Sequence, residues 1–433
     1  MTDRVAIVGG GWAGMAAAVT LACAARPVTV FEAAQVLGGR ARRVVVDDRI
    51  VDNGQHLLLG AYAQTLALLR TVHGERAERE LFDRRRLHLE EPGVFRFKTP
   101  ALPAPWHLGV ALLAMRGLPR QDRLATLAFV RRLRRARFRC APQLTVGALL
   151  TDQPALAVKL LWEPLCLAAL NTPVDAASAQ IFLNLLRVAF AVHAHDSDLL
   201  LPRVDLTALF PAAAAVHIAA RGGEVRTEET VTRIAALGDS VAVTSHAGEE
   251  RFAAAIIAVG PHQLAHVLAA SAGSSATAAL DQVATFAYEP IRTTYLQYGR
   301  ALGLPQPMLK LDNDPGQWLF DRGQFGGAPG LAAVVISTDV AAARIDHDSL
   351  AHAIDAQLRR RAPDLPPPVW SQTIAERRAT YACTVDLARP APGPLERRLY
   401  LAGDYTDPEF PATLEAATRS GVAAARQLLA AHV

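Results

Sequence analysis

Residues Val5 to Gly14 read VAIVGGGWAG, and Glu32 follows eighteen positions later. Val5 to Val8 is a short apolar run of the kind that forms a buried parallel strand. Gly9, Gly11 and Gly14 make GxGxxG, and the Ala-rich stretch from Met15 to Ala25 predicts a helix. Gly9 makes the tight turn, Gly11 lets a pyrophosphate approach, and Gly14 packs helix on strand. Trp12 and Ala13 stand at the helix start, where free N–H groups and the peptide dipole favour phosphates. Pro27 to Phe31 predicts a second strand, which delivers Glu32 to a ribose hydroxyl. A carboxylate at that point repels a 2′-phosphate. Strand, loop, helix, strand and acid in one register predict a dinucleotide site. The motif leaves NAD against FAD open.

The length, 433 residues, is more than a single core usually holds and suggests about two domains. Hydrophobic residues make up 51% and mean hydropathy is +0.17, so large apolar surfaces must be buried or bound. Lysine occurs only at Lys98, Lys159 and Lys310, so the net charge of +4 rests on arginine. Arg- and Ala-rich usage reflects genomic base composition and implies no nucleic-acid partner. Cys23, Cys140, Cys166 and Cys383 lie far apart, which fits a reducing cytoplasm and neither a disulfide framework nor a metal site. No export signal is expected, and no apolar run reaches the roughly 20 residues of a membrane span.

Further along, Leu37 to Arg42 is a second glycine-rich loop, LGGRAR, and Val44 to Asp52 predicts a hairpin turning at Asp47-Asp48. Tyr62 to Thr71 reads as helix and Leu87 to Pro105 as proline-rich strand. Trp106 to Cys140 turns helical with a break at Gly117-Leu118-Pro119. Its second half, 122–140, mixes Leu124, Leu127, Val130, Leu133 and Phe138 with Arg131, Arg132, Arg134, Arg135, Arg137 and Arg139. Such a helix lies on an anionic membrane surface or packs its apolar stripe on its own domain; the sequence supports both. Ala177 to Phe190 predicts a helix, and a strand meander ends in Phe252 to Val259. Strands are expected at Thr293 to Tyr298, Leu331 to Ser337 and Leu399 to Leu401, and a last helix from Ala412 to His432. The fold class is α/β: a discontinuous Rossmann-like domain (1–85, 211–285, 396–433) with an inserted mixed α+β substrate domain (86–210, 286–395).

Gly38, Gly39 and Arg40 offer N–H groups and a guanidinium to a second phosphate face. Gly403 and Asp404 end a strand with glycine and a carboxylate suited to a sugar-alcohol hydroxyl. Ala412 and Thr413 open a helix whose N-terminus suits the electron-rich edge of a flavin. Gly54, Gln55, His56 and Val231 complete the expected cofactor set. The N-terminal GxGxxG…E…GGRA and the C-terminal LAGD…PATLEAATRSG together resemble the flavoprotein superfamily of amine oxidases and phytoene desaturases. The resemblance brackets almost the whole chain and implies FAD.

An amine oxidase of this type carries a lysine near the flavin in a substrate-domain strand. The corresponding segment, Ile291 to Tyr298, has none, and only Tyr405 and Phe410 offer aromatic rings near the C-terminal motif. The central WEPLCLAALNTP (Trp162 to Pro173), with Leu200 to Leu206 and Arg378 to Ala382, instead resembles the squalene-associated FAD-dependent desaturases. That resemblance implies a hydroxysqualene dehydroxylase of hopanoid biosynthesis. Its hydroxyl would leave with a proton, and reduced flavin would deliver hydride to the carbon. The rivals are a phytoene-type desaturase, an amine oxidase or a non-catalytic FAD-bearing partner. The chemistry needs an apolar tunnel and one acid. The candidates are Glu163, Asp175, Glu289 and Asp321, with His56 near the flavin; Trp162, Phe182, Phe190 and Tyr295 suit the wall. A long apolar isoprenoid substrate implies peripheral contact with the inner face of the membrane. No pattern indicates the oligomeric state.

Overall fold

Val5–Val8 and Val28–Phe31 are buried throughout, as strands covered on both faces must be. In the computed structural model, which describes residues 3–268, 273–338 and 345–431, they lie at the centre of a six-stranded sheet. Its order is Glu224–Arg226, Val28–Phe31, Val5–Val8, Ala254–Ile257, Leu399–Leu401 and Gly393–Glu396. The first five run parallel and the last is antiparallel at the edge. This is the expected α/β cofactor fold.

Helix Trp12–Cys23 packs against the final helix Leu414–Ala430, both lined with alanines on the shared face. The expected end of that last helix, His432, lies outside the described residues. Gly421 permits the close approach, since a Cβ there would stand 2.1 Å from the Ala13 carbonyl oxygen. Gly14 instead seats the first helix on the glycine loop, where a Cβ would stand 1.9 Å from the Gly9 carbonyl oxygen. The Asp47-Asp48 turn takes φ of +47° and +59°, joining Arg43–Val46 to Arg49–Asp52 as an antiparallel hairpin.

A second sheet has five antiparallel strands in the order Met308–Lys310, Trp318–Asp321, Leu331–Ser337, Tyr288–Tyr298 and Pro368–Tyr381. One face, with Leu296, Val334 and Ile336, packs on helix His347–Arg361. The other face is the floor of a cavity. Over it lie helices Glu163–Leu170 and Ala179–Phe190, and the strand Leu199–Pro202 joins Leu58–Leu59 to Phe82–Arg85.

The Arg-rich helix spans Arg120–Arg135 and stops short of the expected residue 140. Arg137 and Phe138 turn left-handed, the Phe138 N–H donates to the Leu133 carbonyl (2.9 Å), and that of Arg137 to Arg134 (3.0 Å). This pairing closes a helix end, and Leu133 and Phe138 are both buried beside it. Most of the apolar stripe faces inward: Leu127, Leu133 and Phe138 are buried and Val130 is half-buried, while Leu124 at its start is exposed. Neighbouring Phe129 meets the Trp162 ring edge-on at 5.4 Å. Packing on its own domain is therefore the reading the stripe obeys.

Candidate active site

The glycine loops hold one another through backbone contacts. The Gly38 N–H donates to the Gly10 carbonyl (3.0 Å), and Glu32 accepts from the N–H groups of Gly10 (2.7 Å) and Ala34 (2.8 Å). The Glu229 N–H bonds the Glu32 carbonyl (2.9 Å), which sets the strand beginning at Val231 beside this corner. Trp12 is buried against Phe210 and donates its indole N–H to the Ala41 carbonyl (3.1 Å), clamping the GGRA loop. Above Gly11 the backbone stands open: the nearest atom to an added Cβ is Gly39 Cα at 3.8 Å. That opening between two glycine loops at a helix start fits a pyrophosphate.

Arg40 joins this loop to the other end of the chain. Its guanidinium bonds Asp404 (2.6 Å) and the Ala379 carbonyl (2.9 Å). Burial lowers its pKa, yet Asp404 outweighs this and holds it above the ordinary arginine value. The Gly403 N–H donates to Ser420 Oγ (2.9 Å), and Thr413 caps the last helix by accepting from the Ala416 N–H (3.1 Å). Glu415 is structural: its buried carboxylate accepts from Gln64 N–H and from the N–H and hydroxyl of Thr65. The donors, open glycine backbone and two helix starts fit FAD.

A cavity of about 310 Å³ begins among these segments, with Arg40, Gly54, Gln55, His56, Ala412 and Thr413 on its wall. The remaining wall is mostly hydrocarbon: Leu57, Leu87 and Leu89, the helix residues Leu165, Phe182, Leu186 and Phe190, and the sheet residues Ile291, Met308, Phe320 and Val335. Such a concave, apolar chamber with a few polar groups is the usual form of a ligand site. The polar groups are placed by partners. His56 Nδ1 stands 2.7 Å from the Gly54 carbonyl, which can only accept, so Nδ1 carries the proton and Nε2 is an acceptor. Burial lowers the His56 pKa and keeps the ring neutral. Asn171 donates to Thr380 Oγ1 (2.9 Å), while its buried side-chain carbonyl oxygen has no partner among the described residues; the same holds for Gln55 Oε1.

The acids expected from the sequence lie elsewhere. Asp321 follows wall residue Phe320 in a strand, so alternation turns it to the opposite face, where it accepts from Gln324 (3.0 Å). Glu289 is half-buried outside the wall, beyond a register shift that separates it from Ile291. Glu163 lines a second cavity with Lys159 and Lys310. Asp175 is exposed. Only His56 of these candidates reaches the main chamber. The carboxylate that does, alone among the described residues of the wall, is Glu376, which accepts from Asn53 Nδ2 (3.0 Å) beside Arg40. It stands two residues before the Arg378 to Ala382 segment singled out in the sequence, but outside it, and the strand's position in the sheet brings it to the wall. Phe182 and Phe190 are wall residues as expected, whereas Trp162 packs on Phe129 and Tyr295 donates to the Asp52 carbonyl (3.0 Å). Lys310 is bound to Glu91 (2.7 Å), and the Tyr405 ring is fully buried with its hydroxyl on the Val259 carbonyl.

The family described as flavin containing amine oxidoreductase matches residues 12–429. The chain belongs to that family. It is 30% identical to a hydroxysqualene dehydroxylase of Rhodopseudomonas palustris, over 100% of this chain and 99% of the relative. A second, from Sinorhizobium fredii, is 27% identical over 98% of each chain. Cyclohexylamine oxidase from Brevibacterium oxydans has the same fold, with a TM-score of 0.72 over 100% of both chains at 15% identity. The chain thus groups with the hydroxysqualene dehydroxylases inside the amine oxidase superfamily, and it is an FAD-dependent oxidoreductase. No helix among the described residues is long and apolar enough to cross a membrane.

Proposed function

We propose that this flavoprotein converts hydroxysqualene to squalene. The observation that carries the reading is the chamber, which begins at the cofactor segments and continues as a hydrocarbon wall with a sparse polar lining. Full-length similarity to hydroxysqualene dehydroxylases supports the same substrate. Bound reduced FAD supplies the hydride, so the balance is alcohol plus hydride plus proton to alkene chain plus water.

The chain's own residues supply orientation and the proton. We assign Gly9, Gly11, Trp12, Ala13, Gly14, Glu32, Gly39, Arg40, Val231, Gly403 and Asp404 to holding FAD, and Gly54, Gln55, His56, Ala412 and Thr413 to its reactive end. Glu376 takes up a proton from solvent and passes it to the hydroxyl, which leaves as water as the C–O bond breaks. Tyr62, also on the wall, is pushed well above the ordinary phenol range by burial, which makes it a poor acid and a lasting O–H donor. The single O–H of the substrate hydroxyl is accepted by neutral His56 or by the side-chain carbonyl of Asn171, and either bond fixes its position. We further read the protein as a peripheral visitor to the membrane that dissolves its substrate.

The test is to reduce the flavin without oxygen and add hydroxysqualene or phytoene separately. Flavin reoxidation with squalene formation is the expected result. Reoxidation absent with hydroxysqualene, together with phytoene desaturation by the oxidised enzyme, would overturn the reading. Glu376→Gln should keep its FAD and lose about 10²- to 10⁴-fold in turnover, the usual worth of a positioned acid.

A further inference from the structure

Helix Trp106–Ala114 contains no Asp, Glu, Lys or Arg. His107, Ala111 and Leu112 are buried on one side, against the molecule. On the other, Trp106 is 67% exposed, Val110 39% and Leu113 45%, at spacings of four and three that put them on one stripe. The start of the Arg-rich helix closes against its end, since Arg123 donates to the Leu113 carbonyl (2.8 Å), and neighbouring Leu124 is 49% exposed.

The charge carried by these two helices is almost all of one sign, with Asp152 reaching Arg132 (4.0 Å) and Asp196 and Asp198 facing His107 on the buried side. Between residues 101 and 140 there are nine arginines and a single carboxylate, Asp122. Arg116 and Arg120 are exposed at the junction of the two helices, and Arg131, Arg134, Arg135, Arg137 and Arg139 along and beyond the second. An exposed tryptophan and aliphatic stripe rimmed by guanidinium groups complements the interface of an anionic bilayer. The stripe is also connected to the chamber. Its helix follows strand Phe95–Lys98, which bridges to Arg116 and pairs with His88–Glu91, the strand whose Leu89 is on the cavity wall.

We propose that Trp106, Val110 and Leu113 insert into an anionic lipid surface, with the arginines of the adjoining helix as the electrostatic rim. The inserting surface is thus not the stripe of the Arg-rich helix, which beyond Leu124 is committed to the core. This deepens the peripheral-membrane reading and rests on it, but not on the identity of the reaction.

The FAD-loaded protein would be mixed at low salt with phosphatidylcholine vesicles, with and without about one third phosphatidylglycerol. Binding is expected to the anionic vesicles alone, with a blue shift of tryptophan emission that Trp106→Phe abolishes. Trp106→Ser with Leu113→Ser should weaken binding at least tenfold, while turnover of detergent-dispersed hydroxysqualene stays at the wild-type rate. Anionic binding that ignores these substitutions would overturn the inserting face and leave the membrane reading intact. No vesicle binding by the wild type would overturn both. A concentration-dependent dimer that hides Trp106 from a quencher, without vesicle binding, would assign the stripe to a second copy and overturn the proposal.

Discussion

The cofactor cradle and the substrate chamber share a wall yet are built by opposite means. In the cradle backbone and a few specific polar side chains do the work: Gly38 on Gly10, Gly403 on the Ser420 hydroxyl, and Arg40 clasping Asp404 from 364 residues away. In the chamber the work is done by apolar side chains from many separate segments, whose shape matters more than their identity. A ligand rich in phosphate and hydroxyl demands donors at fixed places, and fixed places demand particular residues. A hydrocarbon ligand demands only a dry surface of the right volume, which many residue combinations supply.

The largest effect is expected where one substitution in each region is set against the other. Gly14→Ala and Gly421→Ala drive a methyl into backbone at 1.9 and 2.1 Å, atoms that cannot swing aside. Each should cost about 3 kcal/mol or more and empty the protein of flavin, given that overpacking even a flexible core costs about 1–3 kcal/mol. Leu186→Met in the chamber should cost under about 1.5 kcal/mol and keep the flavin. Thermal unfolding with the flavin-to-protein absorbance ratio checks both. Equal losses in the two regions would end the distinction.

The same contrast explains how much is legible in the sequence. Glu32, Arg40, Asp404 and Thr413 lie in local patterns whose spacing is set by backbone geometry, and the structure brings these segments together. Asp321 and Glu289 are candidates in sequence because the chemistry needs an acid. A strand's alternation and a bulge decide which way they point, and neither shows in an apolar run. Glu376 reaches the wall through the pairing of strands 288–298 and 368–381, a long-range register with no local signature. The Arg-rich helix is ambiguous in sequence for a related reason: periodicity reveals an apolar stripe and not what covers it. Phe129 on Trp162 settles that, and leaves the exposed stripe on the helix before it.

Asp52 stands at the seam of the two regions, one residue before wall residue Asn53, and gives an intermediate effect. Its carboxyl accepts from the Leu206 N–H (2.8 Å), and its own carbonyl accepts the Tyr295 hydroxyl. Burial pushes its pKa up to about 6, against the opposing pull of Arg322 and the Leu206 N–H. An acid whose folded pKa is raised binds its proton more tightly when folded. Its stabilising effect is complete below pH of about 4 and is lost as pH climbs through 6. Asp52→Asn keeps an acceptor for Leu206 and carries no titratable proton. The variant's stability relative to wild type should therefore rise by about 1–3 kcal/mol between pH of about 4 and about 7.5, read as midpoints of denaturant unfolding. A relative fall over that interval would mean that Arg322 makes the ionised form the native one. Asp52 would then belong with the charged cradle, where pairing governs, and not with the dry chamber, where burial does.

The smallest effect lies inside the chamber, at one of its few polar groups. Asn171 holds a left-handed backbone (φ +47°) at the end of helix Glu163–Leu170, and its side-chain carbonyl oxygen lacks a donor among the described residues. A buried carbonyl left unpaired costs about 1–3 kcal/mol, which a substrate hydroxyl would relieve. Asn171→Gly keeps the backbone conformation and removes the acceptor. Hydroxysqualene should then bind about fivefold to tenfold more weakly while squalene, which lacks the hydroxyl, binds as before; this corresponds to about 1–1.4 kcal/mol. Titration of both ligands measures the ratio. An unchanged ratio would remove Asn171 from recognition and leave the chamber with purely apolar selectivity.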